Sequence, residues 1–344
     1  MSSPAVFRSA VWLVFATAFA TGIFAQSSVV TAPVGFVSYT IPAAVDSTTP
    51  TTTAICLPLH EAAAASGQLA GTITAVASGT ISNSSAGWTS GALASAATPC
   101  FVRLSSGAAK GRTLFISANT STDLTVDNQN TDLIAAGVVV GDSYQIIAGD
   151  TLMSLFGTST LSGTSEDAAD NILYWNGASW QIFYFNSTNN RWQQKGLSLS
   201  ANNFALRPDA GLLFVRRATT PLAFNLIGVV PTHDLRYEVA NSGSTFLANG
   251  FPLDTTLKTL GYNSLQGWTG DGSNGQTADL VMFWNGASWQ RFYYNTANNR
   301  WQQVGLSLSA DNFTIPSGSP VMIARLGSAS GNSTLVHPIP YSLN

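Results

Sequence analysis

One internal match constrains this chain more than any other feature. Residues 170–216 recur as residues 279–325, offset by 109 positions without a gap, with 26 identities over 47 positions. The centre of the first copy reads WNGASWQIFYFNSTNNRWQQKGLSLSANNF, and that of the second WNGASWQRFYYNTANNRWQQVGLSLSADNF. A weaker likeness joins residues 151–157 to 256–261, so the loops before the two matches differ in length. Two copies do not make a solenoid, which needs roughly three.

Each copy reads as an antiparallel β-meander. Residues 172–175 are apolar and end at Asn176-Gly177, a dipeptide that supplies the positive φ of a tight reversal. The aromatic run 180–185 suits a pleated surface. Polar loop 186–190, a third strand from 191 to 194 and a fourth over 212–216 complete the unit, and 321–325 matches the last. Side chains alternate along a strand, so Trp180, Ile182 and Tyr184 share one face and Phe183 and Phe185 the other. The second copy places Arg291 where the first has Ile182. An unpaired Arg is seldom buried, so the Trp-bearing face is expected to be partly wet and the face of Phe183, Phe292 and Tyr294 to point inward.

Upstream, residues 34–41 alternate like a strand and 47–53 form a polar connection. Short β segments follow at 71–76, 100–104, 113–117, 123–126 and 142–147, separated by Gly and Ser turns. Residues 59–65 are a weak helix candidate and 151–156 a helical turn. The expected class is all-β: a small barrel or sandwich domain followed by two duplicated, aromatic-rich antiparallel meander units. The segmentation is 1–25 signal peptide, 26–66 strands and linker, 67–150 small β domain, 151–225 first repeat and 226–344 second repeat.

Charge explains where such a chain works. Only 9% of residues are charged, against 45% hydrophobic, and 76 are Ser or Thr. A basic nucleic-acid binder and a disordered polyelectrolyte are excluded. Arg8 precedes the apolar run 10–24, and Ile23 and Ala25 suit a cleavage site before Gln26, which predicts export. That run is too short to span a bilayer comfortably, and no membrane span is expected after cleavage. In an oxidising compartment Cys56 and Cys100, the two cysteines, can pair, which would stabilise the fold by roughly 4 kcal/mol; otherwise they are two buried thiols.

The order Gly141-Asp142-Ser143-Tyr144-Gln145-Ile146, then Asp150-Thr151-Leu152 to Leu155-Phe156-Gly157, then the Trp-rich meander and its Pro-Gly strand, resembles a family of uncharacterised secreted proteins from Verrucomicrobia-type bacteria. The resemblance implies export and a β-rich fold. It brings no catalytic residue.

The aromatic cluster Trp175, Trp180, Tyr184 and Trp192, with its twin Trp284, Trp289, Tyr293 and Trp301, is the candidate ligand site. Flat rings on a wet sheet face can stack on sugar rings; the same rings can also pack in cross-strand pairs and against a neighbouring domain. Asp170 and Asp279 occupy one repeat position and are weak metal candidates, against a turn role. No G-x-S-x-G, H-E-x-x-H or phosphate loop occurs, and no catalytic residue or cofactor is assigned. The expectation is an exported, non-enzymatic protein of the envelope or extracellular space, structural, adhesive or glycan-contacting. Its partners would be polysaccharide or envelope components and not nucleic acid. The alternative is a secreted carbohydrate-active hydrolase whose acids the sequence does not single out.

Overall fold

The Asn-Gly turns fold as their chemistry requires. Asn176 Oδ1 accepts the N–H groups of Ala178 (2.9 Å) and Ser179 (2.8 Å) while Gly177 sits at φ 98°. Asn285 and Gly286 repeat the arrangement at 2.9 and 2.8 Å with φ 98°. These turns belong to a computed structural model that describes residues 33–342 apart from 47 and 128–131. The expected signal segment, 1–25, lies outside the described residues.

The first copy contains β1 (Val34–Ile41), β2 (Thr51–Cys56), β3 (Asn171–Trp175), β4 (Trp180–Asn186), β5 (Arg191–Gln194), β6 (Gly211–Arg216) and β7 (Leu222–Val229). The second contains β8 (Leu235–Ala240), β9 (Gly243–Leu247), β10 (Leu280–Trp284), β11 (Trp289–Asn295), β12 (Arg300–Gln303), β13 (Val321–Arg325) and β14 (Asn332–His337). Each forms an antiparallel five-stranded sheet, β5-β4-β3-β6-β2 or β12-β11-β10-β13-β9, with a two-stranded ribbon, β1–β7 or β8–β14, over its inner face. The structural unit is therefore larger than the visible match, because strands 34–56 and 235–247 belong to it.

Between ribbon and sheet lies a dry core. In the first copy Val37, Tyr39 and Ile41 of β1 meet Ile172, Phe183, Phe185 and Trp192. A one-turn helix, α1 (Leu152–Phe156), closes its end; Thr151 caps it, accepting the N–H of Ser154 at 3.0 Å. The counterpart α2 (Leu257–Leu260) is capped by Thr256. Phe183 and Phe292 are buried and Tyr294 packs on the second core, as alternation required.

Residues 57–149 are an insertion in the first copy; the second passes from β9 to its next strand, Thr255–Thr256, through residues 248–254 alone. The insertion is a seven-stranded antiparallel sheet ordered 70–72, 143–148, 100–104, 113–119, 123–127, 80–82, 75–77. Its outermost strands, Ala70–Thr72 and Ala75–Ala77, are separated in sequence by Ile73-Thr74 alone, so the sheet must curl to bring its edges together around Ile81, Val102, Leu114 and Ile146. It is not a closed hydrogen-bonded barrel.

Two expectations are corrected. Residues 59–65 are extended instead of helical: His60 bridges Val229 and Ala62 bridges Ile147, and these ladder contacts with neighbouring strands outweigh the helix propensity of four alanines. Cys56 and Cys100 are free buried thiols, not a disulfide. Cys100 belongs to the core of the insertion, whereas Cys56 ends β2 against the second copy, its N–H bonded to Gly318 O at 2.8 Å. Burial pushes the Cys56 thiol up to about 12.

Candidate functional site

The eight aromatic candidates divide into three settings. Trp192 and Trp301 are sealed inside their sandwiches. The four-residue loop 187–190 sets the pairing of β4 with β5, and Trp192 falls directly opposite Phe185, an inward residue. Residues opposite one another in a ladder share a face, so Trp192 packs on Phe185 and Phe156, both at 6.0 Å between centroids. Trp301 stands opposite Tyr294 in the same way.

Tyr184 and Tyr293 share the face of Trp180 and Trp289 but are also buried. Loop 270–275 covers Tyr293, whose hydroxyl donates to Ser273 O at 2.8 Å. A Cβ at Gly275 would lie 2.6 Å from the Tyr293 ring, so only glycine permits this approach.

The other four indoles join the two copies. Trp175 and Trp180 stand edge to face at 5.2 Å, Trp284 and Trp289 at 5.4 Å. All four pack with Leu213, Met322 and Phe246 in an apolar layer between the five-stranded sheets. Trp175 Nε1 donates to Ser244 O in β9 and Trp284 Nε1 to Thr52 O in β2, both at 2.9 Å. Ser244 and Thr52 occupy the same register position, opposite Ala324 and Val215. A second pair obeys the same pseudo-twofold: Cys56 N–H to Gly318 O (2.8 Å) and Ala248 N–H to Asp209 O (3.0 Å). At the centre Phe246 touches both Trp180 (5.4 Å) and Trp289 (5.9 Å), while its counterpart is the small Ala54. The Trp faces thus bind one another instead of forming two open ring platforms. Arg291, exposed, lies beyond the covered part.

The aspartates Asp170 and Asp279 are corrected as metal candidates. Both are fully buried and both oxygens are committed. Asp170 accepts Arg216 Nη1, Leu161 N (2.8 Å) and Arg217 N (2.7 Å). Asp279 accepts Arg325 Nε (2.8 Å), Thr269 N (2.9 Å) and Leu326 N (2.7 Å). Each pair clamps the start of one strand to the end of its sheet neighbour, β3 to β6 and β10 to β13. The signal was present: the repeat match begins on the aspartate and ends on its arginine in both copies. Among the described residues no group of three or more His, Cys, Asp or Glu is placed to hold a metal ion.

Two open clefts are made with the insertion. One, of about 440 Å³, runs beside the half-buried rings of Tyr174 and Trp175 and is lined by Asn176, Ala240, Ser244 and Asn332. Arg207 enters it, paired to Asp209 at 3.2 Å and Asp127 at 3.3 Å. The other, of about 410 Å³, has alanine-rich walls and two carboxyls, Glu61 and Asp150. Burial first, and then the Glu61 charge, push Asp150 up to about 6, against a weak contact from Ser154 Oγ at 3.5 Å. Sequence reading passed over Tyr174, Glu61 and Asp150, because nothing local marks a residue that becomes a wall only when the insertion docks.

No helix among the described residues is long and apolar enough to cross a membrane. Against family models, curated proteins and solved structures, the chain matches none.

Proposed function

We propose that this is an exported, non-enzymatic β protein of the envelope or extracellular space that adheres to polysaccharide through the single cleft beside Trp175. The observation that carries the reading is that cleft, lined at the end of β3 by Tyr174 on one sheet face and Trp175 on the other, next to the amides of Asn176 and Asn332. Rings supply apolar faces for sugar C–H groups and amides supply hydrogen bonds to hydroxyls. The low charge and the Ser/Thr-rich composition agree with a protein that meets neutral polymers. The test is retention of the full chain on insoluble polysaccharides. Ala240→Trp fills the cleft without removing an interface ring and is expected to abolish retention. Retention unchanged by that variant, or absent on every polymer offered, overturns the reading.

The second cleft favours one other reading, a carbohydrate-active hydrolase. A carboxyl held near 6 beside a second carboxylate is the pairing that general acid catalysis uses. Turnover on a glycan panel that disappears in both Asp150→Asn and Glu61→Gln would establish it; no turnover would dismiss it.

A further inference from the structure

Among the described residues four arginines are buried, Arg103, Arg112, Arg216 and Arg325. Three have a carboxylate: Arg112 pairs with Glu238 at 2.8 Å, Arg216 with Asp170 and Arg325 with Asp279. Arg103 has no ion pair among the described residues, although it is 7% exposed. The recorded partner of its side chain is Thr113 Oγ1, 3.0 Å from Nε.

Arg103 stands where all three modules meet, with His60 from the segment after β2 and Tyr237 from β8. His60 is 4% and Tyr237 5% exposed, and neither His60 Nδ1 nor the Tyr237 hydroxyl has a hydrogen-bond partner. The three side chains line a small chamber with Thr113 and Asp209. Its atom-free space is about 230 Å³, but the centre of a water-sized sphere has only about 10 Å³ to move in. That is roughly room for one water-sized particle. Asp209 is turned to Arg207 at 3.2 Å. Burial, and then the nearby Arg103 charge, pull His60 down to about 3, against a hydrogen bond to the Leu57 backbone that raises it, so its ring is neutral and carries a single N–H. A buried guanidinium without a paired carboxylate is costly, and the Thr113 hydroxyl that accepts from its Nε carries no charge.

We propose that Arg103 binds a single monatomic anion, chloride in ordinary salt, with the Tyr237 hydroxyl as a further donor. The ion would tie the insertion to the second copy at one point. Its class follows from the chamber: carboxylates, phosphate and sulfate are too large for it.

Thermal unfolding of the full chain at constant ionic strength, with chloride exchanged for gluconate, tests this. A saturable rise of a few degrees in Tm with chloride or bromide is expected. Arg103→Met should unfold at the same temperature in both salts, which separates site binding from general salt effects. Should that variant not fold, crystals of the unaltered protein soaked in bromide decide, with an anomalous peak expected in hydrogen-bond reach of Arg103. Equal Tm in the two salts, or a chamber without bromide, overturns the proposal and leaves Asp209 as the through-space counter-charge.

Discussion

The two copies share strand order, cap, clamp and turn, and two of their differences, one in a loop and one at a buried position, are instructive. After β2 the first copy holds the whole of 57–149, whereas after β9 the second holds only 248–254. The sandwich tolerates this because the loop opens at a sheet end, where its termini are already held by β2 and by the strand at Asp150–Thr151. Two open clefts border that insertion, so the asymmetry shapes surfaces that the duplication alone does not make. The buried difference is in the ribbons. Leu226 faces Val37 in β1–β7, and at the equivalent place His337 faces Leu235 in β8–β14. His337 is fully buried beside Tyr237 and Tyr262, with both ring nitrogens unpartnered.

The clamps give the comparison its severest test. Asp170→Asn and Asp279→Asn each strand a buried guanidinium and should destabilise by about 3–5 kcal/mol in denaturant unfolding. The first copy should lose more, since Arg217, bonded to Asn171 Oδ1 at 3.1 Å, adds a second cation where the second copy has Leu326. Equal losses would show that Arg217 does not feel the clamp.

A smaller effect of opposite sign is expected from making the second copy resemble the first. His337→Leu removes two unpartnered buried nitrogens and should stabilise by roughly 1–3 kcal/mol at pH 7. Burial holds His337 and His60 down to about 3, so the unfolded chain takes up these protons first and stability is lost as pH falls from the ordinary histidine range towards 3. Asp150, raised to about 6, works the other way, losing stability as pH rises towards that value. His337→Leu should therefore flatten the acid limb of a plot of Tm against pH. An unchanged acid limb would place the sensitivity elsewhere.

The finest comparison concerns the interface. Trp175→Phe and Trp284→Phe each remove one N–H donor to a backbone carbonyl and should cost about 1 kcal/mol, by closely similar amounts. A marked inequality would break the pseudo-twofold description.

Much of this architecture was readable beforehand. The strands expected at 100–104, 123–126 and 180–185, the Asn-Gly reversals and the inward face of Phe183 and Phe292 follow from alternation and turn chemistry. The candidate site was less readable. Trp192, grouped by sequence with the rings of a wet face, lies inside, because the length of loop 187–190 sets it opposite the inward Phe185. Glu61 and Asp150 lie far apart in sequence and become neighbours only across the docked insertion.

Local chemistry, then, decides strands, turns, caps and the fact of duplication, because each depends on residues a few positions apart. What covers a sheet face is decided by long-range packing. A half-polar face rich in tryptophan has the same alternation whether it meets water, sugar or its own duplicate; the mutual bonds of Trp175 and Trp284 settle that choice, and no spacing along the chain could encode it.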